Sequence, residues 1–289
     1  MIQQKIEKAK ILVEALPYIK RFHGKTAVIK YGGSVMFDQK LKEIFAADIA
    51  LLKFVGIHPI IVHGGGKEIS SWMQKLGKEP VFIDGLRVTD METMEITEMV
   101  LSGKVNSEIV SLINRSGAKA VGLSGKDASL FTARKIRSKN NEDLGFVGEI
   151  ETADVSLVQT LSERGYVPVI SSVGESLEGE TLNLNADYAA ASVASALNAL
   201  KLIYLTDVDG ITVEGSLLSE LDLQEAERLL NHPEIQGGMK PKLECCIRAI
   251  RDKVEHVHII NGKIEHPVLL ELFTDVGIGT KLSYTKRGG

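Results

Sequence analysis

The sequence predicts an α/β protein, a three-layer αβα sandwich whose central sheet is mainly parallel. The first observation is that short β-branched runs alternate with longer segments of helical periodicity along most of the chain. The second is that two of these runs, 27–31 and 60–63, end directly in glycine clusters. The third is the length of 289 residues, which allows one large domain or two lobes. Because no repeat or low-complexity linker interrupts the chain, any two lobes are expected to pack closely.

The first predicted element is a helix over residues 2–22. Its apolar residues recur at alternating spacings of four and three and form one narrow seam, which comprises Ile2, Ile6, Ala9, Val13 and Leu16. Pro17 lies late in this helix and is expected to kink it. A narrow seam suits packing on the chain's own domain and contact with another subunit equally well.

Strands and helices alternate after this first helix. Apolar, β-branched runs predict strands at 26–30, 58–63, 118–123, 166–171, 201–206 and 256–260. Helical periodicity predicts helices between them, including 41–55, 91–102 and 186–197. Polar, glycine-bearing stretches predict hairpins or loops over the sheet at 137–148 and 174–181.

Composition narrows the class of protein. The chain is 44% hydrophobic and 25% charged, as is typical of soluble globular proteins, and its net charge of −4 does not favour nucleic acid or acidic membranes as partners. The N-terminus carries charges where a signal peptide needs an apolar core, and no apolar run approaches the ~20 residues of a membrane span. The two cysteines are adjacent and offer no metal-ligand spacing. A cytoplasmic protein with reduced thiols is expected.

The two strand-to-glycine turns predict sites for anions. Glycines let backbone N–H groups approach a ligand, and a helix that follows adds about half a positive charge at its N-terminus. Two such turns suit a pair of negatively charged ligands, which is what a small-molecule kinase binds. The chain has neither a Walker A pattern nor a Gly-x-Gly-x-x-Gly that opens a helix, so the phosphates must be bound in another way.

Four clusters, in a fixed order, carry the candidate chemistry. They are Lys30 with Gly32, Gly33 and Ser34; His63-Gly64-Gly65-Gly66; Asn183-Leu184-Asn185-Ala186-Asp187; and Thr206-Asp207-Val208-Asp209-Gly210, followed by Gly237-Gly238-Met239-Lys240-Pro241-Lys242. Together with Gly-Leu-Arg-Val-Thr at 85–89, they make the chain resemble the amino acid kinase family from about residue 12 to residue 282. Each motif alone is weak, but the set in this order is specific.

The resemblance implies a fold and an activity. The fold is the amino acid kinase fold, and the activity is ATP-dependent phosphorylation of the γ-carboxylate of N-acetyl-L-glutamate, the second step of arginine biosynthesis. ATP is expected with Mg²⁺ held mainly by its phosphates, and no metal site made of protein side chains is expected. Alternatives are an acyl kinase for glutamate, carbamate, aspartate or an aminoadipate conjugate, and a non-catalytic arginine-sensing protein. A synthase with an added acetyltransferase domain is disfavoured because the chain stops at Gly289.

Three residues match the catalytic positions of the family. Lys30 and Lys242 match its two catalytic lysines, and Asp187 matches the carboxylate that holds both of them. Phosphoryl transfer between anions depends mainly on positioning and charge neutralisation, for which ammonium groups are suited. By their local sequence alone, Lys30 would be a lysine reaching the surface and Asp187 a helix N-cap.

The resemblance also implies binding residues. Gly65 and Gly66 would bind the reacting carboxylate through backbone N–H groups, and Arg87 would bind the α-carboxylate with Asn183 beside it. His63 is interpreted as structural. The nucleotide would lie against the residues Gly32, Gly33, Thr206, Asp207, Asp209, Gly210 and Met239.

A regulatory site is implied as well. Arginine-sensitive members of the family carry an extra N-terminal helix with a tyrosine, and the matching residues for binding L-arginine are Tyr18, His258, Glu271 and Gly277. The alternative is that Glu271 and His258 are ordinary helix and strand residues. The resulting division is an oligomerisation helix at 1–24, an acetylglutamate-binding lobe at 25–197 and a nucleotide-binding lobe with the arginine site at 198–289. A homohexamer built as a trimer of dimers is expected.

Overall fold

The computed structural model of the chain describes residues 2–274 and 277–285. The helices described there are Ile2–Phe22 (α1), Gln39–Phe54 (α2), Gly66–Lys75 (α3), Met91–Glu98 (α4), Asn106–Arg115 (α5), Ser156–Glu163 (α6), Ala186–Ala196 (α7), Leu223–Leu229 (α8), Met239–Arg251 (α9) and Pro267–Phe273 (α10). The strands are Thr26–Tyr31 (β1), His58–His63 (β2), Phe82–Ile83 (β3), Leu86–Arg87 (β4), Lys119–Ser124 (β5), Phe131–Arg137 (β6), Asp143–Ala153 (β7), Tyr166–Ser171 (β8), Val173–Glu175 (β9), Thr181–Leu184 (β10), Lys201–Thr206 (β11), Thr212–Val213 (β12), Ser216–Leu217 (β13), Glu220–Asp222 (β14), His256–Asn261 (β15) and Thr280–Ser283 (β16).

The central sheet contains eight strands in the order β14-β16-β15-β11-β1-β2-β8-β5. Every neighbouring pair is parallel except β15 and β16. The six predicted strands are all in this sheet, each within one residue of its predicted bounds. The predicted, mainly parallel sheet is therefore confirmed.

Helices cover both faces of this sheet. In β1, Val28 belongs to the core on one face, which it shares with α7 and α9, whereas Ala27 and Ile29 belong to the core on the other, with α2 and α5. This follows from the two-residue period of a strand, which sends successive side chains to opposite faces. The αβα sandwich is confirmed.

Two polar stretches predicted as hairpins or loops form hairpins outside the central sheet. β6 pairs with β7, and β9 pairs with β10, both antiparallel. Because β10 also pairs with β7, and β6 with β9, the four strands close on one another.

One predicted helix ends in the wrong place. The pattern over 91–102 belongs to α4 and to a π-helical turn, Met99–Val105, which continues directly into α5. A π-turn holds an extra residue and rotates the following helix relative to the first, which no apolar periodicity in the sequence signals.

The N-terminal helix α1 runs through Pro17 to Phe22. Its seam residues Ile2, Ile6, Val13 and Leu16 are exposed to between 43% and 75%, whereas Phe22 at its end is buried. The seam therefore does not pack on the described part of the chain's own core.

The predicted lobe boundary at residues 197 and 198 falls between α7 and β11. Because β11 pairs with β1 from Ala27 to Lys30, one continuous sheet crosses this boundary. The division at residues 24 and 197 stays a prediction. Among the helices described, none has the length and apolarity that crossing a bilayer would require.

Candidate active site

The predicted motifs meet at one edge of the sheet. Strands β1, β2 and β11 are parallel neighbours, with Lys30 beside Tyr204 and Tyr31 beside His63. The Gly32–Gly33 turn, the Gly64–Gly66 turn and the 206–210 loop follow the carboxyl ends of these strands and therefore lie side by side. Ligands of open α/β sheets bind at this edge.

A cavity of about 340 Å³ opens at this edge. The predicted site residues that line it are Lys30, Gly32, Gly33, Gly65, Gly66, Arg87, Asn183 and Asp187. A second group of predicted residues lies outside its lining, namely Thr206, Asp207, Asp209, Gly210, Met239 and Lys242. The size suits a small molecule.

Asp187 joins the two candidate catalytic lysines. Lys30 Nζ lies 2.9 Å from Asp187 Oδ1, and Lys242 Nζ donates to Asp187 Oδ2 at 2.6 Å. Lys30 comes from β1, Asp187 from the first turn of α7 and Lys242 from α9. Residues separated by more than 200 positions in sequence thus form one cluster in which two partly buried cations flank one buried anion.

The carboxylate of Asp187 is held in its ionised form. Burial would raise the pKa of Asp187, but Lys30 and Lys242 outweigh that effect and lower the pKa to about 2. The N-cap of α7 is Asn185, whose side chain accepts from the backbone N–H of Asp187 at 2.8 Å. Asp187 is therefore not the cap, and its side chain is free to bind the lysines.

The glycine turn after β1 makes room for a ligand and for a lysine. A Cβ on Gly32 would lie 2.6 Å from Lys30 Nζ, so a side chain there would displace the ammonium group. Gly33 has a φ of +79°, and Ser34 donates to Asp207 Oδ1 through its backbone N–H at 2.7 Å and its hydroxyl at 2.6 Å. Asp207 thus ties the β11 loop to this turn.

The turn after β2 leads into α3, with Gly65 as its N-cap and Gly66 as its first residue. A Cβ on Gly65 would lie 2.7 Å from Leu101 in the π-helical turn. The N-terminal N–H groups of a helix lack intrahelical acceptors, so this end of α3 presents donors to the cavity.

Arg87 is a buried cation in the cavity wall. Its Nη2 donates to Gly66 O at 2.6 Å and to Ser70 Oγ at 2.9 Å, and its guanidinium stacks 4.7 Å from the centre of the Phe82 ring. Among the described residues no carboxylate pairs with it, although it is only 6% exposed. A buried guanidinium without an anion is suited to bind an anionic ligand.

Asn183 is linked to Arg87 through a residue that the sequence analysis did not single out. Asn183 Nδ2 donates to Thr89 Oγ1 at 3.2 Å, and Thr89 Oγ1 donates to the backbone oxygen of Arg87 at 2.7 Å. Thr89 is fully buried. Its place in the motif at 85–89 was the only available signal.

His63 is fully buried, and burial lowers its pKa to about 4, so the ring is neutral. Its Nδ1 lies 3.0 Å from Gly64 O, and its Nε2 lies 3.1 Å from Asn106 Nδ2. Asn106 also donates to Val169 O at 2.9 Å. These contacts support the structural interpretation of His63, and the sequence held no signal for Asn106.

The residues predicted to bind nucleotide lie around the loop after β11. Thr206 Oγ1 donates to Val208 O at 2.8 Å, and Asp209 Oδ1 accepts from Asn261 at 2.7 Å. Gly210 packs against Thr280, and Met239 begins α9. These contacts fix the loop beside the Gly32–Gly33 turn.

Three of the four predicted arginine-site residues lie together. His258 Nδ1 is 2.6 Å from Glu271 Oε1, and a Cβ on Gly277 would lie 2.7 Å from the same carboxylate. Lys201, which the sequence analysis did not single out, is buried nearby, and burial lowers its pKa to about 8 although Glu271 opposes this. Tyr18 packs against the core that contains α10.

Three comparisons with known proteins bear on this site. The model of the amino acid kinase family matches residues 25–261. The chain is 55% identical over 281 residues to the acetylglutamate kinase of Caldanaerobacter subterraneus subsp. tengcongensis, covering 96% of this chain and 93% of that protein. It is 54% identical over 279 residues to the acetylglutamate kinase of Desulforamulus reducens, covering 95% and 97%.

A solved structure gives the same family likeness. The N-acetylglutamate synthase of Neisseria gonorrhoeae, complexed with coenzyme A and N-acetyl-glutamate, superposes with a TM-score of 0.86 at 30% identity. The match covers 96% of this chain and 64% of that one. Giardia carbamate kinase, at a TM-score of 0.67 and 17% identity over 91% of this chain and 99% of that one, shares the fold.

Proposed function

The chain belongs to the amino acid kinase family, and from this premise we propose that it transfers the γ-phosphoryl group of ATP to the γ-carboxylate of N-acetyl-L-glutamate. The products are N-acetyl-L-glutamyl 5-phosphate and ADP. This is the second step of arginine biosynthesis.

One observation carries the proposal. Asp187 and Lys30 form one part of the cavity wall, and Lys242 binds Asp187 from outside that lining; the buried Arg87, without a carboxylate partner among the described residues, forms another part of the wall. The first arrangement suits a reacting anion, and the second suits a further carboxylate on the same substrate.

In the reaction, an oxygen of the acceptor carboxylate attacks the γ-phosphorus of MgATP, and the bond from that phosphorus to the β–γ bridging oxygen breaks. Lys30 neutralises charge on the transferred group and Lys242 on the leaving ADP. No base is needed, because the acceptor carboxylate is already ionised at neutral pH. Asp187 holds the two lysines in position.

The acceptor binds along the cavity. The backbone N–H groups of Gly65 and Gly66 donate hydrogen bonds to its γ-carboxylate, and Arg87 with Asn183 binds its α-carboxylate. Leu101 and Val147 add apolar surface to the same cavity, which suits the methyl of an acetyl group.

The nucleotide binds against the Gly32–Gly33 turn and the loop formed by Thr206, Asp207, Asp209 and Gly210, with Met239 near the base. Mg²⁺ enters with ATP as part of the substrate, bridging phosphate oxygens. The proximity of this loop to Lys30 through the Ser34–Asp207 contacts supports the assignment.

Other acyl kinases of this fold are less well supported. Carbamate has no α-carboxylate, so it would leave the buried Arg87 without a counter-ion. Glutamate and aspartate would pair a carboxylate with Arg87, but they have no acetyl methyl to contact the apolar surface of Leu101 and Val147. A non-catalytic sensing protein would not need the Lys30–Asp187–Lys242 cluster.

The test is hydroxylamine trapping of the acyl phosphate with MgATP and N-acetyl-L-glutamate, with unacetylated glutamate in parallel. Hydroxamate formed only from the acetylated substrate is the expected result. Product from glutamate alone, or from neither substrate, would contradict the proposal.

We further propose feedback inhibition by L-arginine at the site of Tyr18, His258, Glu271 and Gly277. Burial would raise the pKa of Glu271, but His258 and Lys201 outweigh it, so the carboxylate stays ionised and can pair with a guanidinium. A second structure of the Neisseria synthase, complexed with coenzyme A and L-arginine, superposes on this chain with a TM-score of 0.82 at 29% identity. Equal turnover with and without millimolar arginine would contradict this part.

The expected assembly is a homohexamer, a trimer of dimers, with α1 as the contact between dimers. The exposed seam of α1 supports it, since apolar side chains on one helix face lower their free energy when covered. A cytoplasmic location also stays part of the proposal, supported by the free, buried thiols of Cys245 and Cys246.

A further inference from the structure

Lys67 follows the last glycine of the second glycine turn and has no role in the proposed mechanism. It is the second residue of α3 and lines the cavity together with Lys30 and Gly33. Its side chain is exposed, so no buried charge requires its presence there. Among the described residues no carboxylate forms an ion pair with it.

The position of the Lys67 ammonium group is set by an aromatic ring. Lys67 Nζ lies 5.5 Å from the centre of the Phe37 ring, within cation–π range. Phe37 follows the 3₁₀ turn Gly33–Met36 and also lines the cavity, with 46% of its surface exposed. The ammonium group is therefore kept near the β1 turn, between α3 and the mouth of the cavity.

The neighbours of Lys67 indicate which half of the site it faces. Burial would raise the pKa of Asp207, but its hydrogen bonds from Ser34 and the charges of Lys263 and Lys67 lower it. Asp207 lies on the loop proposed to bind nucleotide. Arg87, by contrast, donates to Gly66 O and to Ser70 Oγ. Because Lys67 lies over Phe37, which directly follows the turn Gly33–Met36, its ammonium group is on the side of the cavity assigned to the nucleotide.

The positive charge of the Lys30–Asp187–Lys242 cluster is smaller than the negative charge of MgATP. Lys30 and Lys242 carry two positive charges, of which Asp187 cancels one. Arg87 is assigned to the acceptor. MgATP retains about two negative charges, so the cluster alone does not neutralise the phosphates.

We propose that Lys67 is a further nucleotide-binding residue, which places its ammonium group on the phosphates of MgATP across the Gly32–Gly33 turn. This inference rests on the proposed function, because it takes ATP as the phosphoryl donor. The alternative is that Lys67 only stabilises the charge of the Asp207 carboxylate. Asp207 Oδ1, however, already accepts two hydrogen bonds from Ser34.

The experiment measures equilibrium binding of MgATP by calorimetry in the absence of acceptor, on the full chain. Lys67→Gln is expected to weaken MgATP binding about threefold to fivefold, as for loss of one exposed ion pair. Lys67→Arg is expected to stay within about twofold, and the loss in Lys67→Gln is expected to shrink as salt is raised. The matched control is Lys75→Gln, because Lys75 lies on the same helix, 4.6 Å from the centre of the Trp72 ring, and outside the cavity lining.

Unchanged MgATP affinity in Lys67→Gln would overturn the inference, and so would a loss confined to N-acetyl-L-glutamate. A loss of the same size in Lys75→Gln would also overturn it, since the effect would then be one of general surface charge. The binding measurement is separate from the hydroxamate assay: a wild-type chain that binds MgATP through Lys67 yet forms no hydroxamate would refute the proposed acceptor and leave this inference standing.

Discussion

Asp187 and Arg87 are two charges that burial penalises and that the fold accommodates differently. Asp187 has two ammonium groups within 2.9 Å, so its ionised form is satisfied within the protein. Arg87 has only neutral acceptors and an aromatic ring among the described residues. A satisfied buried ion can serve as scaffolding, whereas one with no counter-ion favours binding of a ligand that supplies it.

Replacing Lys242 by alanine tests its role in the reaction. Loss of a positioned cation that acts on developing charge is expected to lower kcat by about 10²–10³-fold, with the fold retained. The measurement is kcat by hydroxamate formation, with circular dichroism as a check on folding. Lys240→Ala, two residues away on the same helix, is the control, and comparable turnover in both variants would contradict the assigned role.

Arg87→Lys tests whether the guanidinium binds the acceptor. Lysine keeps the charge but lacks the planar pair of donors, so KM for N-acetyl-L-glutamate is expected to rise at least about tenfold while KM for ATP changes little. Steady-state kinetics with each substrate varied in turn measures both. An equal rise in the two KM values would argue against a contact with the acceptor.

At the scale of elements, the turn chemistry decides where the site residues lie. The β3–β4 hairpin, which carries Arg87, turns at Asp84 and Gly85, with φ values of +51° and +79°. It is tied to β7 by Thr89, whose backbone oxygen accepts from Phe146 N at 2.6 Å and whose N–H donates to Leu144 O at 2.9 Å. Correct placement of Arg87 therefore depends on a distant strand.

Sequence alone predicted the strands that end in motifs, because a β-branched run followed by glycines is a local pattern. The roles of Lys30 and Asp187 came only from the resemblance of the ordered motifs to the amino acid kinase family, because their local sequence alone favours a surface lysine and a helix N-cap. The Asp84-Gly85 pair was a hairpin signal of the same local kind that the sequence analysis did not use. Asn106 could not be found locally, because its contact with His63 arises only when β2 packs against α5.

Gly145→Ala tests the tie between β7 and the hairpin. Gly145 has a φ of +69°, and a Cβ there would lie 2.1 Å from Thr89 O. KM for the acceptor is expected to rise more than KM for ATP, and the free energy of unfolding to fall by about 1–3 kcal/mol. Gly179→Ala is the matched control, because Gly179 has a φ of +84° with nothing within 4 Å of a Cβ. Equal effects of both variants on the acceptor KM would contradict the tie.

The seam of α1 is tested by charge. Ile6→Glu with Val13→Glu places carboxylates on the seam and is expected to reduce the assembly from a hexamer to dimers, because burying them would cost free energy. Light scattering after size exclusion measures the mass. Ile11 is 64% exposed but lies off the seam, so Ile11→Glu should leave the mass unchanged. Identical masses for all variants would contradict the role of α1.

At the scale of the whole molecule, buried histidines make stability depend on pH. The pKa of His63 is lowered to about 4 in the folded chain, against about 6.5 when unfolded. Between these values the unfolded chain binds more protons than the folded chain. The free energy of unfolding therefore rises as the pH is raised from about 4 to 6.5. The expected slope from this group approaches 1.4 kcal/mol per pH unit.

Urea unfolding at a series of pH values measures this slope. His63→Asn is expected to flatten it between pH 4 and 6.5, whatever its effect on stability at pH 7. The substitution also lowers the free energy of unfolding by an amount that does not depend on pH, and a comparison of slopes removes this amount. An unaltered slope in the variant would contradict a neutral, buried His63.

The bond from Asp187 to Lys242 crosses the predicted boundary at residue 197, whereas the contact from Asp187 to Lys30 stays on one side of it. A movement of the two predicted lobes against each other would therefore change the first distance and leave the second unchanged. The separation between Asp187 Oδ2 and Lys242 Nζ, 2.6 Å in this structure, would thus report any such movement. A spectroscopic label that reports on this distance would show whether the two predicted lobes move against each other during turnover.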